Sequence, residues 1–419
     1  MLETPPLALY VHFPWCVRKC PYCDFNSHTL HGELEERRYI EALQRDLAAQ
    51  AAAAAGREVI SIFLGGGTPS LFPPEAIARL LAFARRHLVL APGAEVTLEA
   101  NPGTLERGRF AEYRAAGVSR VSLGAQSFDD ARLAALGRIH CADETRRAAA
   151  ELHAAGLENF NIDLMYGLPG QDLAAARRDL EEALALGPTH LSHYQLTIES
   201  GTVFAGRPPR LPDDEATDRM LEACGERLDR SGFARYEVSA YAIDGRRCSH
   251  NLNYWSFGDY LGIGAGAHGK LTLSDVGRVL RTTQMREPRR YLASMTATGG
   301  GASNRTPVPH EELPFEFMLN ALRLVEGFEV GTFTSRTGLP WETVAARMAD
   351  LVDEGLIVAA GTCYRASPLG FQFLNDVLLR FVPEIPKSAG QSELSIAPQP
   401  PPALTGRALF TGSASGNVK

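Results

Sequence analysis

Six predicted strand–helix units follow one another between residues 7 and 230 of this 419-residue chain. Short apolar runs predict the strands, and amphipathic stretches between them predict helices. Strands that alternate with helices pair in parallel through right-handed crossovers, which leaves an open doubly wound sheet or a barrel. Six units fall short of the eight of a closed barrel, so the preferred fold is an α/β partial (β/α)6 barrel. The predicted strands are Leu7–Phe13, Val59–Leu64, Glu95–Glu99, Arg120–Ala125, Phe160–Met165 and His190–Leu196.

The rest of the chain divides by composition into further units. Residues 1–232 form the predicted barrel core, and residues 233–297 are an aromatic-rich extension of it. Residues 298–312 contain a Thr-Gly-Gly-Gly-Ala-Ser-Asn run and are predicted to be a linker. Residues 313–382 carry two helical patterns followed by two short strands, which favours a small winged-helix-like domain. Residues 383–419 are dominated by Pro, Ser, Gly and Ala and are predicted to be a disordered tail.

Charge and hydropathy exclude several classes of protein. The net charge of −7 lacks the basic excess of a nucleic-acid-binding protein. No window approaches 18 uninterrupted apolar residues, and the first thirteen residues lack the pattern of a signal peptide. We therefore expect a cytoplasmic protein without a nucleic-acid partner and with at most peripheral membrane association.

Three of the seven cysteines, Cys16, Cys20 and Cys23, fall within eight residues directly after the first predicted strand. Cytosolic thiols stay reduced, so this cluster predicts a metal centre and not a disulfide framework. Thiolates favour zinc, copper(I) or an iron–sulfur cluster. A zinc knuckle completed by His12 or His28 is one alternative, although no second cysteine pair is present. The other is a [4Fe–4S] cluster with one iron left open.

Polar or glycine-rich residues follow each predicted strand. Ligand sites of parallel α/β proteins lie at the carboxyl ends of the strands, so these residues are candidates for one shared site. Glycines there let backbone groups approach a ligand closely, whereas a turn or a cap is the ordinary explanation for any one of them. The strand-end residues include Tyr10, His12, Gly65-Gly66-Gly67-Thr68-Pro69, Glu99, Asn101, Gln126, Asp163, Gln195 and Thr197.

The Cys-x3-Cys-x2-Cys loop, with Tyr22 before the third cysteine, resembles that of the radical S-adenosylmethionine superfamily. The resemblance implies a [4Fe–4S] cluster on Cys16, Cys20 and Cys23 whose open iron is chelated by S-adenosylmethionine. It also implies that an electron from the cluster breaks the carbon–sulfur bond of S-adenosylmethionine and gives a 5′-deoxyadenosyl radical. An electron donor for the cluster is therefore an expected partner.

From Tyr10 to about Phe381 the chain is similar to the oxygen-independent coproporphyrinogen III dehydrogenases and their relatives. Whether one or two molecules of S-adenosylmethionine bind stays open. The resemblance implies a first S-adenosylmethionine site at Tyr10, Gly66, Glu99 and Thr197, and positions matching a second one at Tyr22, Gly67, Thr68, Gln126, Arg138 and Asp163.

Two departures separate the chain from those dehydrogenases. Phe25 stands where they carry a further cysteine, and they have a substantial amino-terminal extension before the tyrosine that corresponds to Tyr10. Both features resemble the haem-chaperone branch of the family. The resemblance therefore implies a haem chaperone, with radical oxidative decarboxylation of coproporphyrinogen III as the alternative function.

A second motif, His250-Asn251-Leu252-Asn253-Tyr254-Trp255, resembles the His-Asn-x-x-Tyr-Trp signature of the haem chaperones. Haem iron takes an axial imidazole or thiolate, so His250 is the candidate ligand, with Cys248 and His268 as nearby alternatives. Tyr254 and Trp255 are candidates for contact with the macrocycle. The ordinary alternative for such a histidine is a hydrogen-bonded residue of the core. We expect haem to be passed to an acceptor haemoprotein whose identity the sequence does not give.

Overall fold

The six predicted parallel strands are present, and backbone pairing joins them in their order along the chain. A computed structural model describes residues 2–103, 109–296 and 303–383. Its first strands are β1 Leu7–Phe13, β2 Trp15–Cys16, β3 His28–Thr29, β4 Glu58–Gly66, β5 Val89–Ala100, β6 Arg120–Gln126, β7 Phe160–Tyr166 and β8 His190–Gln195. The helices among them are α1 Glu36–Ala54, α2 Pro74–His87, α3 Phe110–Ala116, α4 Asp130–Ala135, α5 Ala142–Ala154, α6 Leu173–Ala185, α7 Val203–Gly206 and α8 Asp214–Arg230, with a 3-10 turn at Pro69–Leu71.

Strands β1, β4, β5, β6, β7 and β8 are sheet neighbours in that order, and each adjacent pair is parallel. Among the described residues β8 does not pair back onto β1, so the barrel is partial, as predicted. Alternate residues of β1 illustrate the two faces of the sheet. Leu7, Leu9, Val11 and Phe13 belong to the large apolar core, whereas Tyr10 belongs to a separate inner cluster. The main core therefore lies between the sheet and its helices.

The aromatic-rich extension adds strands to both edges of this sheet and gives a 12-stranded sheet in all. Strand β11 pairs in parallel with β1 and is followed outward by β12, β13 and β14, while β10 and β9 extend the β8 edge. The new elements are β9 Ala234–Arg235, β10 Ala240–Ala242, α9 Ser249–Trp255, β11 Asp259–Ile263, β12 His268–Leu273, β13 Arg278–Thr283, α10 Pro288–Thr296 and β14 Asn304–Pro307.

The predicted linker at 298–312 is wrong for part of its length. Residues 304–307 form β14, which pairs antiparallel with β13 from Leu280 to Thr283. The polar sequence of β14 gave no strand signal, because an exposed edge strand is held by backbone hydrogen bonds and not by buried side chains. Residues 298–302, the start of the predicted helix Leu105–Ala116 and residues 384–419 of the predicted disordered tail lie outside the described residues.

The carboxy-terminal region has a core of its own and the order of elements expected of a winged-helix-like unit. Its elements are α11 Leu313–Ala321, β15 Phe328–Glu329, α12 Val330–Thr337, α13 Glu342–Asp353, β16 Ile357–Ala360, β17 Cys363–Ala366, α14 Pro368–Gln372 and α15 Leu374–Leu379. Helix α12 was not predicted, since Val and Thr are weak helix formers, but burial of Phe333 in the domain core favours it. Phe257 of the barrel extension joins the same core and packs against Phe317 at 5.6 Å between ring centroids.

None of the described helices is long and apolar enough to cross a membrane.

A buried ion pair fixes the start of β11 beside β1. The Asp259 carboxylate is fully buried and accepts a hydrogen bond from Lys270 Nζ at 2.8 Å. The backbone N–H of Thr272 also donates to this carboxylate at 2.9 Å, and the Arg57 guanidinium lies 3.0 Å from it as a second ion pair. The buried carboxylate is therefore paired with cations and hydrogen-bonded, as burial away from water requires.

Removal of this carboxylate is predicted to destabilise the fold strongly. Asp259→Ala leaves the Lys270 ammonium buried without its counter-charge, so the free energy of unfolding should fall by about 3–5 kcal/mol. Urea denaturation followed by far-ultraviolet circular dichroism measures this. The matched control Asp275→Ala removes an exposed carboxylate, and a change above about 0.5 kcal/mol is not expected there. Equal effects of the two substitutions would contradict the stabilising role of the buried ion pair at Asp259.

Candidate functional site at the carboxyl ends of the strands

One open cavity lies where the carboxyl ends of the parallel strands meet the cysteine loop. Most of the residues that the sequence singles out line it, although they come from distant parts of the chain. The predicted residues on its wall are Cys16, Cys20, Tyr22, Cys23, Gly66, Gly67, Thr68, Glu99, Gln126, Arg138, Asp163 and Thr197. Tyr10, His250, Tyr254 and Trp255 are not among the wall residues.

The sequence analysis missed several polar residues of the cavity region, including Arg120, Asn161 and Glu95. Arg120 and Asn161 line the wall deep in the barrel, and Glu95 lies close to Arg120. The signal for them was available, because side chains alternate between the two faces of a strand. Glu95 is four residues before Glu99 on β5, so the two side chains face the same side of the sheet. Arg120 and Gln126, six residues apart on β6, share a face for the same reason.

Cys16 ends the short strand β2, and Cys20 and Cys23 lie on the loop that connects β2 to its partner strand β3. The backbone N–H of Leu30 donates to the Cys16 carbonyl at 2.8 Å, and that of Cys23 donates to the Cys20 carbonyl at 3.1 Å. All three thiols are free of disulfides. Burial raises the pKa of the Cys16 thiol to about 11 and also raises the pKa of Cys23. Without bound metal the Cys16 and Cys23 thiols are therefore neutral near pH 7.

The loop is attached to the barrel by His12 and Asn26. His12 Nε2 shares a hydrogen bond of 3.0 Å with the Asn26 carbonyl, and His12 Nδ1 shares one of 2.9 Å with the Tyr10 hydroxyl. The Asn26 side-chain amide donates to the carbonyls of Ala265 and Arg286, both at 2.9 Å. Desolvation lowers the pKa of His12 to about 4, so its imidazole is neutral. Tyr10 is thus a support of this loop in the structure and does not face the cavity.

Gly66 and Gly67 are required by the packing of the loop against the strand ends. Gly66 has φ +115°, and a Cβ there would lie 2.6 Å from the His12 ring. A Cβ on Gly67 would lie 2.6 Å from the Trp15 carbonyl oxygen. Besides letting backbone groups approach a ligand, these glycines are required by the chain itself, which occupies the space that a side chain needs.

Two half-buried carboxylates, Glu99 and Asp163, face the cavity. Burial and then the charge of Asp163 hold the pKa of Glu99 well above its usual value, and burial raises the pKa of Asp163. Glu99 Oε2 accepts a hydrogen bond from the Gly66 N–H at 2.9 Å, and Asn161 donates to Asp163 at 2.7 Å. Their mutual repulsion would be relieved by a positively charged ligand group.

Arg138 is directed to the cysteine loop across the cavity. Its guanidinium donates to the Gly124 carbonyl at 2.6 Å and to the Asn101 side-chain oxygen at 2.9 Å, and it lies 3.9 Å from Cys20 Sγ. It is therefore held in place, and it is not a solvated helix charge. Gln126, at φ +69°, accepts a hydrogen bond from the Tyr194 hydroxyl at 2.6 Å.

The remaining predicted wall residues also form hydrogen bonds within the chain. Thr68 is hydrogen-bonded to the Cys16 thiol, and Tyr22 to the Cys20 thiol. The Thr197 hydroxyl donates to Glu199 at 2.9 Å. The cavity wall is thus pre-formed, with polar groups oriented by neighbours within the chain.

The second motif lies on helix α9, behind the cavity wall. His250 is 8% exposed, and its Nδ1 lies 3.2 Å from the Ser61 hydroxyl. Among the described residues its Nε2 has no hydrogen-bond partner. The His250 ring lies 5.0 Å from that of Phe63, and both Phe63 and the adjacent Asn251 line the cavity. Desolvation lowers the pKa of His250 to about 3, so the imidazole is neutral.

Glu95 connects the second motif to the barrel. Its carboxylate accepts hydrogen bonds from the backbone N–H of Ser249 at 3.1 Å and of His250 at 3.4 Å. The thiol of Cys248, which is fully buried, lies 3.6 Å from the same oxygen. Of the two alternative haem ligands, Cys248 is therefore enclosed by the chain, whereas His268 is exposed at the start of β12.

Tyr254 and Trp255 do not form one flat surface with His250. The Trp255 ring is buried at 3% exposure, and the Arg323 guanidinium of the carboxy-terminal domain lies 4.4 Å from its centroid. Tyr254 packs edge-on against Trp255 and beside Tyr260, at 4.9 and 5.2 Å between centroids. In this structure the aromatic pair joins helix α9 to the neighbouring core.

The donor set fits an iron–sulfur cluster better than a zinc knuckle. Within the described ranges, no three His, Cys, Asp or Glu side chains converge as they do around a single metal ion. His12 uses both ring nitrogens in hydrogen bonds, so it offers no free donor to zinc. In a [4Fe–4S] cluster each thiolate binds a different iron, so the three sulfur atoms need not converge on one point.

Comparison with curated proteins reveals similarity over almost the whole chain. The chain is 47% identical over 384 residues to "Heme chaperone HemW" of Escherichia coli, and the matched region covers 92% of this chain and all of that protein. It is 45% identical to "Heme chaperone HemW" of Haemophilus influenzae, over 92% of this chain and all of that protein. The chain belongs to the HemW family. HemW relatives are not confined to these bacteria, since one of Mycobacterium tuberculosis is 38% identical over 77% of this chain and 83% of its own length.

Family models support this assignment, and a solved structure shares the fold. Residues 10–183 match the radical SAM superfamily, and residues 308–373 match the HemN C-terminal domain. The structure described as "Coproporphyrinogen III oxidase (HemN) from Escherichia coli is a Radical SAM enzyme" has a TM-score of 0.77, with 90% of each chain covered. At 21% identity this likeness establishes the fold alone. Membership of the radical SAM superfamily implies a [4Fe–4S] cluster and S-adenosylmethionine.

Substitution of Gly66 is predicted to disturb the cysteine loop. Gly66→Ala forces an L-residue to φ +115° and displaces His12, so the free energy of unfolding should fall by about 1–3 kcal/mol. Iron content after anaerobic reconstitution should fall as well, because His12 holds the Asn26 carbonyl. Differential scanning calorimetry and iron analysis measure the two effects. The control Gly331→Ala lies in open space on a helix. It should leave the iron content at the wild-type level and the free energy of unfolding unchanged or slightly higher.

Proposed function

We propose that this chain is a haem chaperone that binds haem and transfers it to an acceptor haemoprotein. The observation that carries the proposal is its similarity to two proteins named heme chaperone over their entire lengths. Phe25 supports it, because this apolar residue lines the cavity where the coproporphyrinogen dehydrogenases carry a further cysteine. An acceptor haemoprotein, an electron donor and a cytoplasmic location complete the proposal, with no nucleic-acid partner and at most peripheral membrane contact.

The three cysteines would hold the [4Fe–4S] cluster at one end of the cavity. When bound, the cluster supplies one-electron chemistry to S-adenosylmethionine. Cys16, Cys20 and Cys23 provide thiolate ligands after losing their protons, and the Thr68 and Tyr22 hydroxyls lie beside two of the sulfur atoms. Arg138, 3.9 Å from Cys20 Sγ, offsets part of the negative charge that deprotonation creates.

S-Adenosylmethionine would lie in the remaining part of the cavity. It carries a sulfonium and an ammonium group, and Glu99 and Asp163 present half-buried carboxylates whose repulsion such charges relieve. Gly66, Gly67, Gln126 and Thr197 would contact it from the strand ends, and Arg138 can pair a ligand carboxylate.

His250 is the proposed haem ligand. Its imidazole is neutral, as iron ligation requires, and among the described residues its Nε2 has no partner that haem would displace. It lies directly behind the wall residues Phe63 and Asn251. At 8% exposure, access of haem requires a displacement of these residues or of helix α9. Tyr254, which is half-buried, would then meet the macrocycle before Trp255 does.

The proposed function predicts haem loading without porphyrinogen turnover. One reconstituted anaerobic sample should contain about four irons and four sulfides per chain. It should bind haem stoichiometrically and pass it to an apo-haemoprotein, followed by the Soret band of the acceptor. With S-adenosylmethionine and reductant the same sample should yield no protoporphyrinogen from coproporphyrinogen III. Enzymic turnover there would overturn the chaperone assignment in favour of the dehydrogenase.

Replacement of the proposed ligand is expected to weaken haem binding with a defined pH dependence. His250→Ala should lower haem affinity at least tenfold and change the Soret maximum, whereas the exposed His268→Ala should not. Because the pKa of His250 is about 3, the imidazole stays neutral between pH 7 and pH 5, and wild-type affinity should change little over this range. A histidine ligand with an ordinary pKa would lose about 25-fold in haem affinity between pH 7 and pH 5, because most of it would become protonated. Identical titrations of His250→Ala and wild type would exclude this ligand.

A further inference from the structure

Arg120 is a buried cation that the proposed sites for the cluster and S-adenosylmethionine do not use. It is the first residue of β6, it is 2% exposed, and it lines the cavity deep in the barrel together with Asn161. Among the described residues no carboxylate lies within ion-pair distance of its guanidinium, and its Nε has no hydrogen-bond partner. A buried charge without such partners is costly, so a ligand group that pairs with it would bind favourably. We call the wall around Arg120 and Asn161 the cavity floor.

The acidic residues near Arg120 are bound to other donors. Burial alone would lower the pKa of Arg120, but neighbouring acidic groups, among them Glu95 and Asp163, raise it above its usual value, so the guanidinium is charged. Glu95 accepts a hydrogen bond from the backbone N–H of His250 at 3.4 Å, and Asp163 accepts one from Asn161 at 2.7 Å. Within the described part of the chain, neither carboxylate therefore forms the paired contact that a guanidinium offers.

Arg120 lies far from the place proposed for the carboxylate of S-adenosylmethionine. Arg138, which can pair that carboxylate, is 3.9 Å from Cys20 Sγ at the cysteine loop. Gln126 ends β6 beside this loop, and Arg120 begins the same strand. Six residues of extended backbone span roughly 20 Å. A carboxylate held at the cysteine loop therefore does not reach Arg120.

Arg120 and the proposed haem ligand His250 lie on two sides of Glu95. Ser61 of β4, whose hydroxyl lies 3.2 Å from His250 Nδ1, pairs with Glu95 of β5. Two residues on, Thr97 of β5 pairs with Arg120 of β6. Because neighbouring strands are about 4.8 Å apart, Ser61 and Arg120 are separated by roughly 10 Å across the sheet. This is the scale of the span from the iron of haem to one of its propionate carboxylates.

We propose that Arg120 binds a propionate carboxylate of haem and thereby orients the macrocycle at the cavity floor. The two propionates are the anionic groups of a haem periphery that is otherwise apolar. A guanidinium donates two parallel hydrogen bonds to a carboxylate, which fix its direction as well as its position. This inference rests on the proposed function and deepens it, since it names the group of haem that the cavity recognises.

The test removes the charge from each partner in turn. Haem dimethyl ester keeps the iron and the ring but carries no propionate charge, and Arg120→Gln removes the cation. Arg120→Lys keeps the buried charge without the paired hydrogen bonds. The matched control Arg18→Gln removes a cation from the same cavity wall, beside the cysteines. Each full-length reconstituted protein is titrated anaerobically with haem and with the ester, and the Soret band reports binding.

The ratio of the two affinities is the decisive quantity, because a general loss of folding lowers both alike. Wild type should bind haem about tenfold or more tightly than the ester, since only haem offers a carboxylate to Arg120. In Arg120→Gln the ratio should fall to within about twofold of one, and in Arg120→Lys at least about threefold below wild type. Arg18→Gln should keep the wild-type ratio. Affinity for S-adenosylmethionine, by isothermal titration calorimetry, should change less than about threefold in Arg120→Gln.

The contrary results are equally distinct. Equal affinities of wild type for haem and its ester would overturn the proposal and leave haem binding intact. A wild-type ratio in either Arg120 variant would overturn it as well, and loss of the ratio in Arg18→Gln would place the propionate at the cysteine loop instead. Weaker binding of S-adenosylmethionine by Arg120→Gln, with the haem ratio retained, would assign Arg120 to that ligand. Absence of haem binding by wild type would refute the proposed function together with this inference.

Discussion

Parallel backbone pairing of six strands is the constraint on which the rest of the structure depends. Because the strands run in one direction and pair in register, Phe13 lies opposite Gly66, and Tyr166 lies opposite Gln195. Every strand therefore ends at the same edge, and its alternate side chains face one interior. The cysteine loop follows the first of these strands, so it closes that edge from one side. A site made of residues more than 180 positions apart is a direct consequence of this pairing.

The cavity concentrates charged groups that are costly to bury. Glu99 and Asp163 are acidic, while Arg120 and Arg138 are basic, and all four lie on the same wall. Each keeps hydrogen-bond or charge partners from the chain, which offsets the loss of water. The raised pKa values of the two carboxylates show that this compensation is incomplete without a ligand. A cavity in this electrostatic state favours ligands with separate positive and negative groups.

The two sequence motifs meet through the barrel interior. Glu95, on β5, holds the amino-terminal end of helix α9, and His250 on that helix lies against Phe63 and Tyr10. Tyr10 is hydrogen-bonded to His12, and His12 holds the Asn26 carbonyl at the end of the cysteine loop. A continuous set of contacts thus connects the proposed haem ligand with the proposed cluster. Displacement of α9 by haem would act on the support of the cysteine loop through these residues.

The sequence by itself determined the order of the strands, the cysteine loop and most of the cavity wall, because apolar periodicity and strand-end position are local properties. It did not reveal β14, whose polar residues are held by backbone pairing with β13, or helix α12, which tertiary packing of Phe333 favours over propensity. Nor did it show that Tyr10 and His250 lie behind the wall or that Trp255 meets Arg323. Only the tertiary structure decided these placements, since they depend on which distant surfaces exclude water from each side chain.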